Sequence, residues 1–440
     1  MNEKQFKPRR IPLSWKLKKI SEVAKTGSGG TPLSSNKEYY EGGNIPWINS
    51  GEVGQSVIRA TNNYITELGL KNSSAKIFPK GSVLVAMYGA TAGRASLLEF
   101  DASTNQAICA IIPDKEYDAQ FIKYYFDVLY NYLVGVSTGS ARDNLNQNGI
   151  QDLEIPFPTL PTQKSIAKVL SDLDAKIELN NKINRELEAM AKTLYDYWFV
   201  QFDFPDEEGK PYKSSGGKMV YNAELKREIP EGWEVKNLFK SCIVQYGFPF
   251  STEYFNSEEN GVPVIRIRDI LDNTISNYST EKNLDEKYLI KKGDLLIGMD
   301  GNFHINYWSK NECYLNQRVV KLSETILPNI ILKYQIEPYI KLREKSVSRT
   351  TVGHLSDKDL KALNLFIPSK EVLASVSPLF NKTLNRIIQT QNENQHLTTL
   401  RDWLLPMLMN GQVRVKEAAL RQAQDEISMA AEPRVKYGKL

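Results

Sequence analysis

The stretch Pro205-Asp206 followed by Glu208-Gly209-Lys210 carries the two acids with which metal-dependent nucleases hold a divalent ion, and the lysine that accompanies them. A nuclease site takes these groups from separate strands. Here they crowd into one short segment, so the composition is present without the geometry. His304, His354 and His396 are too scattered for metal-ligand spacing. Cys109, Cys242 and Cys313 are odd in number and widely spaced, which argues against a disulfide framework and a zinc site. They fit a reducing cytoplasm and read as packing residues. No G-x-x-x-x-G-K-[ST] loop is present to cradle phosphate, and no G-x-G-x-x-G follows a strand. No two prolines are adjacent, which excludes the [DNS]-P-P-[YF] loop that grips a flipped adenine in an amino-methyltransferase. The chain is expected to be non-catalytic and to hold no metal.

At 440 residues, 41% hydrophobic and 25% charged, the composition is that of a globular protein too long for one core. No apolar run reaches the roughly 18 residues of a membrane span. The basic N-terminus has no apolar segment behind it, so no secretory signal and no membrane partner are expected. The net charge of +4 is small, but its distribution is uneven. Eight basic residues against Glu22 fall between Lys4 and Lys25, and five against Glu337 and Glu344 between Lys333 and Arg349. Residues 161–210 are acidic by ten to seven.

The chain contains itself twice. Ile11-Pro12 and Trp15 return as Ile229-Pro230 and Trp233, a shift of 218. IPWINSGEV (45–53) returns as VPVIRIRDI (262–270), shifted by 217, and PKGSVLVAMYG (79–89) as KKGDLLIGMDG (291–301), shifted by 212. Asn105-Gln106 matches Asn316-Gln317 with a shift of 211, and LEIPFP (153–158) matches LNLFIP (363–368) with a shift of 210. The preserved order and monotonic drift are those of a diverged tandem duplication with small deletions.

Each half opens with short strand-like runs between turn signals, which predicts a mixed α/β domain on a substantial sheet. Each then becomes helical. From Thr162, Ile166, Leu170, Leu173, Ile177, Leu187, Ala191, Leu194 and Trp198 form a heptad seam, with Asn180 and Asn184 at its two polar positions. The second seam runs Val376, Phe380, Ile387, Asn394, Leu397 and Leu404, weakened by Thr383, Thr390 and Arg401. A helix from Thr162 to Phe199 is about 55 Å long and needs a partner. The expected fold class is therefore α+β: two mixed α/β domains in tandem, each followed by a long helix, the helices pairing as an antiparallel coiled coil. The expected boundaries are residues 1–160 and 229–370 for the domains, 161–200 and 371–412 for the helices, 201–228 for a polar linker, and 413–440 for a tail.

The opening IPLSWKLKKISEV, its repeat IPEGWEVKNL, GGTP (29–32), IPWI (45–48), YGATAGRASL (88–97), NQA (105–107) and IPFPTLPTQKSIAKVLSDLDAKIELNNKI (155–183) together resemble the specificity subunits of Type I restriction–modification systems. The linker FDFPDEEGKPYKSSGGKMV fits the same family, and the resemblance covers most of residues 11–410. The second half departs more, with GFPF in place of GGTP and GNFHINYW in place of the ATAGRASL stretch. The resemblance implies two target recognition domains on double-stranded DNA and a pair of spacer helices. It also implies two docked methyltransferase subunits, motor-nuclease subunits joining that core, and no cofactor of the chain's own.

Base edges are read by Arg or Lys on guanine and Asn or Gln on adenine, whereas Lys, Arg and Ser or Thr hold phosphate. In the first domain the candidates are Tyr88, Thr91, Arg94, Asn105 and Gln106, with Ser140, Arg142 and Asn144 in a second loop. In the second they are Asn302, His304, Asn316, Gln317, Arg318, Arg349, Thr350 and His354, with Arg266 and Arg268 expected on one face of a strand. The recurrence of Asn-Gln in both halves equally suits a structural turn. Because the candidate loops differ between halves, the expected target is bipartite and non-palindromic with a fixed gap. Two other classes fit less: a restriction enzyme with fused methyltransferase, and a coiled-coil scaffold with two protein- or glycan-binding domains.

Overall fold

The computed structural model describes residues 11–137, 145–323, 325–347 and 353–415. They fall into two compact units, Met1–Ile177 with Leu397–Leu440, and Glu178–His396.

In the first unit a five-stranded sheet runs in the order Ala24–Ser28, Ile108–Pro113, Val83–Ala86, Ala95–Leu98, Val57–Ile58. The run VLVAM (83–87) is apolar throughout because both faces of its strand are covered. Val83 and Val85 pack under the helix Ala119–Ser137 with Phe121, Leu129 and Leu133, while Leu84 and Ala86 turn to Ile48, Ile58 and Phe78. A smaller sheet, in the order Tyr64–Ile65, Ile45–Ile48, Ala102–Thr104, Ile77–Phe78, closes that second face.

The second unit repeats this topology. Its sheet Ile243–Tyr246, Val319–Ser323, Leu295–Gly298, Ile305–Tyr307 matches the first four strands above in order. Its other sheet, here of five strands, again pairs two strands in parallel, Val262–Ile265 with Cys313–Leu315, as Ile45–Ile48 pairs with Ala102–Thr104. The helix Asn329–Val347 takes the place of Ala119–Ser137. The terminal motifs of each repeat lie side by side: Lys16–Lys19 pairs with Glu154–Phe157, and Glu234–Asn237 with Asn364–Ile367.

Two glycines explain why the divergent loops keep their anchors. A Cβ on Gly29 would lie 1.9 Å from the Thr104 carbonyl oxygen, and one on Gly247 would lie 2.0 Å from that of Asn316. Neither position admits a side chain, which is why GFPF retains the first glycine of GGTP.

Each unit contains a part of both long helices, Leu160–Tyr195 and Lys370–Met409. In the first unit Ile166, Ala167 and Leu170 share a core with Leu408 and Met409, and Asp174 pairs with Arg401 at 2.9 Å. In the second, Ala191 and Tyr195 share a core with Phe380 and Leu384. There the Asn180 amide donates to Glu393 Oε2 and Asn394 Oδ1, both at 2.9 Å, and the Thr390 hydroxyl to Asn184 Oδ1. Within each unit a rising number on one helix meets a falling number on the other, so the segments run antiparallel. The polar residues that weaken the seam on paper therefore have partners: Arg401 has Asp174, Thr390 has Asn184, and Thr383 bonds the Leu379 carbonyl one turn back at 2.9 Å.

The segment read as a polar linker is folded into the second unit. Phe202 and Phe204 are buried against Trp233, and Tyr212 stacks on Phe204 with ring centroids 4.7 Å apart. Met219–Asn222 then pairs with Arg227–Pro230 as a hairpin. Its Ser and Lys residues are exposed, and its aromatic residues decide its structure.

Candidate nucleic-acid interface

In both units the candidate residues that the structure describes lie in loops at one end of the strands. In the first, Ile48 is in parallel register with Thr104, so Asn49 and Asn105 leave the sheet together. The loop after Val83–Ala86 is closed by Met87 N–H on the Ala107 carbonyl and Gly93 N–H on the Ala86 carbonyl, both at 2.8 Å. The Thr91 hydroxyl donates to the Ser50 carbonyl at 2.6 Å and ties that loop to its neighbour. Tyr88 is 46% exposed, and the exposed Arg94 guanidinium sits 4.1 Å from the Tyr130 ring centroid. Gln106 is exposed and accepts from the Thr31 hydroxyl at 2.5 Å.

Asn105 and Asn316 do the same internal work. Asn105 Oδ1 accepts from Ala107 N–H at 3.1 Å, and Asn316 Oδ1 from Arg318 N–H at 3.4 Å. The recurring pair thus begins a turn in each domain, and the residues left facing solvent are Gln106, Gln317 and Arg318. Thr91 likewise spends its hydroxyl on the backbone.

In the second unit Ile265 is in register with Leu315, which places Arg266 beside Asn316. Arg266 and Arg268 are not on a strand. The strand ends at Ile265, and Ile267–Asp269 forms a single 3-10 turn. The buried Asp269 carboxylate makes that turn, accepting from Arg266 N–H and the Ser276 hydroxyl at 3.0 Å and from the Thr274 hydroxyl at 3.1 Å. Both guanidiniums nevertheless converge, donating to Asn277 Oδ1 at 3.0 and 2.7 Å. The first unit has the same device: Glu52 Oε1 accepts from Asn49 N–H and from the Asn63 amide, both at 3.0 Å. The repeat IPWINSGEV/VPVIRIRDI is therefore a strand followed by an acid-closed turn that displays Asn49 and Gly51 in one domain and Arg266 and Arg268 in the other.

The loop after Leu295–Gly298 holds Asn302, which is exposed, and His304, which is half-buried and whose N–H bonds the Asn302 carbonyl at 2.9 Å. Asp300, which lies in that loop, joins two further candidates. Its Oδ1 is 2.6 Å from His354 Nδ1 and its Oδ2 is 3.2 Å from Arg318 Nε. Ser140, Arg142 and Asn144, and Arg349 and Thr350, lie outside the described residues.

Reading the sequence missed Asn49, Glu52, Asp269, Asn277 and Asp300. A signal for the turns was present: Asn49-x-x-Glu52 has the spacing of a capping box, and Arg266-x-x-Asp269 puts an acid at the same offset. Nothing local marks Asp300, whose partners are 18 and 54 residues away. The three thiols are buried, and burial raises the pKa of Cys109 and Cys242 to about 12 and that of Cys313 further, as packing residues require. Among the described residues no helix is long and apolar enough to cross a membrane.

The family model described as "Type I restriction modification DNA specificity domain" matches residues 12–189 and again 230–395. The "Type I restriction enzyme MjaIX specificity subunit" of Methanocaldococcus jannaschii is 30% identical over 428 residues, spanning 93% of this chain and 95% of that protein. The EcoprrI specificity subunit of Escherichia coli is 23% identical over 389 residues, covering 84% and 88%. Among solved structures, the Type I restriction–modification S subunit from M. genitalium aligns over 93% of this chain and 99% of its own with a TM-score of 0.54, at 18% identity. Two matched copies of one domain on a shared fold make this chain a member of the Type I restriction–modification DNA specificity family, a subunit that supplies DNA-target recognition and not catalysis.

Proposed function

We propose that the chain reads a bipartite, asymmetric DNA target, one half-site per recognition domain, and docks the methyltransferase and motor-nuclease subunits of a Type I complex. The recognition domains correspond to residues 1–160 and 229–370, and the helical segments 161–200 and 371–412 serve as spacer and docking surface. The observation that carries this reading is the equivalence of the two strand ends. Both domains present their candidate residues on the same turns, held by equivalent acids and the same Asn, while the displayed chemistry differs. Tyr88, Arg94 and Gln106 stand in one domain, and Arg266, Arg268, Asn302, Gln317, Arg318 and His354 in the other. A shared frame with different donors suits two different short sequences. The experiment is a map of methylated adenines in cells expressing this chain with its partner subunits. The expected result is a two-part motif with a fixed unspecified gap and unlike halves. A continuous or palindromic motif would contradict the reading.

A further inference from the structure

We propose that Asp300 is a positioning residue of the second recognition domain: it pre-orients Arg318 to read a guanine, which the second half-site therefore contains. The inference rests on the proposed function and deepens it. Arg318 leaves the Asn316 turn with its own carbonyl bonded by Met299 N–H at 3.0 Å, so its backbone is fixed to the loop that carries Asp300. Asp300 is fixed in turn: Gly301 N–H bonds the Gly353 carbonyl at 2.9 Å, and Leu355 N–H the Met299 carbonyl at 2.7 Å. Three chain segments distant in sequence thus hold one carboxylate against one guanidinium. Asp300 Oδ2 faces Arg318 Nε at 3.2 Å, and Arg318 remains 55% exposed with its Nη1 and Nη2 unpaired among the described residues. Those two nitrogens are the parallel donors that match O6 and N7 of guanine in the major groove.

Charge favours a base over a phosphate. A carboxylate on a DNA-facing surface repels the backbone, and beside Arg318 it cancels the charge a phosphate clamp would use. What the pair keeps is orientation, since a held planar fork loses less freedom on binding. His354 occupies the other carboxylate oxygen. A carboxylate only accepts, so the imidazole donates from Nδ1 and keeps Nε2, unpaired among the described residues, on a side chain 50% exposed. The carboxylate thus holds two readers, one on each oxygen.

The test uses the full chain with its methyltransferase partners and a DNA library randomised across both half-sites. Arg318→Gln should reduce the preference for guanine at one position of one half-site by about 5- to 100-fold. Asp300→Asn keeps the side-chain shape and adds a net positive charge. It should weaken the guanine preference at that same position roughly 3- to 10-fold while non-specific affinity does not fall. The preferences of the other half-site should stay as in wild type. A uniform loss of affinity in Arg318→Gln, with the salt slope lower by about one, would make Arg318 a phosphate contact and overturn the proposal. Wild-type guanine preference in Asp300→Asn would overturn it too. So would lost hydrogen-exchange protection in Val319–Ser323, which would make Asp300 a folding residue. If wild type selects no two-part motif, the proposed function itself fails. A wild-type motif unmoved by either substitution overturns only this inference.

Discussion

Arg401→Leu probes how the first recognition domain is fastened to the helices. The Asp174 side chain is 13% exposed and accepts from Arg401 Nη1 at 2.9 Å, the Tyr124 hydroxyl at 2.7 Å and the Ser56 hydroxyl at 2.9 Å. Burial by itself would raise its pKa, but Arg401, Tyr124, Lys123 and Ser56 outweigh it and hold the carboxyl below its ordinary 3.8. Removing one partner of a buried ion pair costs about 3–5 kcal/mol, because the charge left behind is uncompensated. Arg401 is 30% exposed and Lys123 remains nearby, so we expect about 2–3 kcal/mol. In an Asp174→Asn background no charge is stranded, and the amide oxygen still accepts from Tyr124. There the same substitution should cost no more than about 1 kcal/mol. Two units preclude a single two-state transition, so the measurement is hydrogen exchange across Ala119–Ser137 in the full chain. Protection should fall about 30- to 150-fold in the Asp174 background. The pH dependence has a definite sign. The wild-type carboxyl titrates lower folded than unfolded, so its stabilisation is complete above the unfolded pKa and is lost as pH falls through the folded one. Without Arg401, burial raises the folded pKa, and the strain of the stranded charge disappears once the carboxyl is protonated. The deficit should therefore be largest near pH 7 and shrink below about pH 4. Equal losses in both backgrounds, or a deficit constant from pH 7 to 3, would refute the reasoning.

Thr390→Val strips the Asn184 carbonyl of its buried donor and should cost about 1–2 kcal/mol, most of it restored in Asn184→Leu/Thr390→Val, as read by hydrogen exchange in Lys370–Met409. Leu173→Pro, inside the first long helix, should cost about 3 kcal/mol or more and abolish co-elution with the methyltransferase subunit on size-exclusion chromatography. Unchanged co-elution would show that the helices are not the docking surface. Asp269→Ala should release Arg266 and Arg268, destabilise the second domain by about 1–3 kcal/mol, and leave exchange in the first domain unaltered. Incubated with S-adenosylmethionine and target DNA, the chain alone should transfer no methyl groups, and methylation by partner-free protein would contradict its assignment as a recognition subunit.

The sequence by itself determined the duplication, the mixed α/β character of each half and the two long helices. These are written in local signals: five ordered matches, apolar runs bounded by glycine turns, and steps of three and four. The acid-closed turns at Asn49–Glu52 and Arg266–Asp269 are also legible by their spacing, and the alternation of Arg266 and Arg268 makes no strand because the Asp269 carboxylate closes a turn there. Tertiary structure decided the rest, because a polar side chain's role depends on a partner that sequence does not place beside it. Arg401 looks like a flaw in a seam until Asp174 stands opposite, 227 residues away. Residues 201–228 look like a polar linker until Trp233 supplies a surface for Phe202 and Phe204. Arg318, Asp300 and His354 come from three separate segments, and only the register of the sheet and the bridge between Asp300 and His354 bring them within a few ångströms. Periodicity tells which face of an element is buried. What that face meets is fixed by packing between elements far apart in the chain.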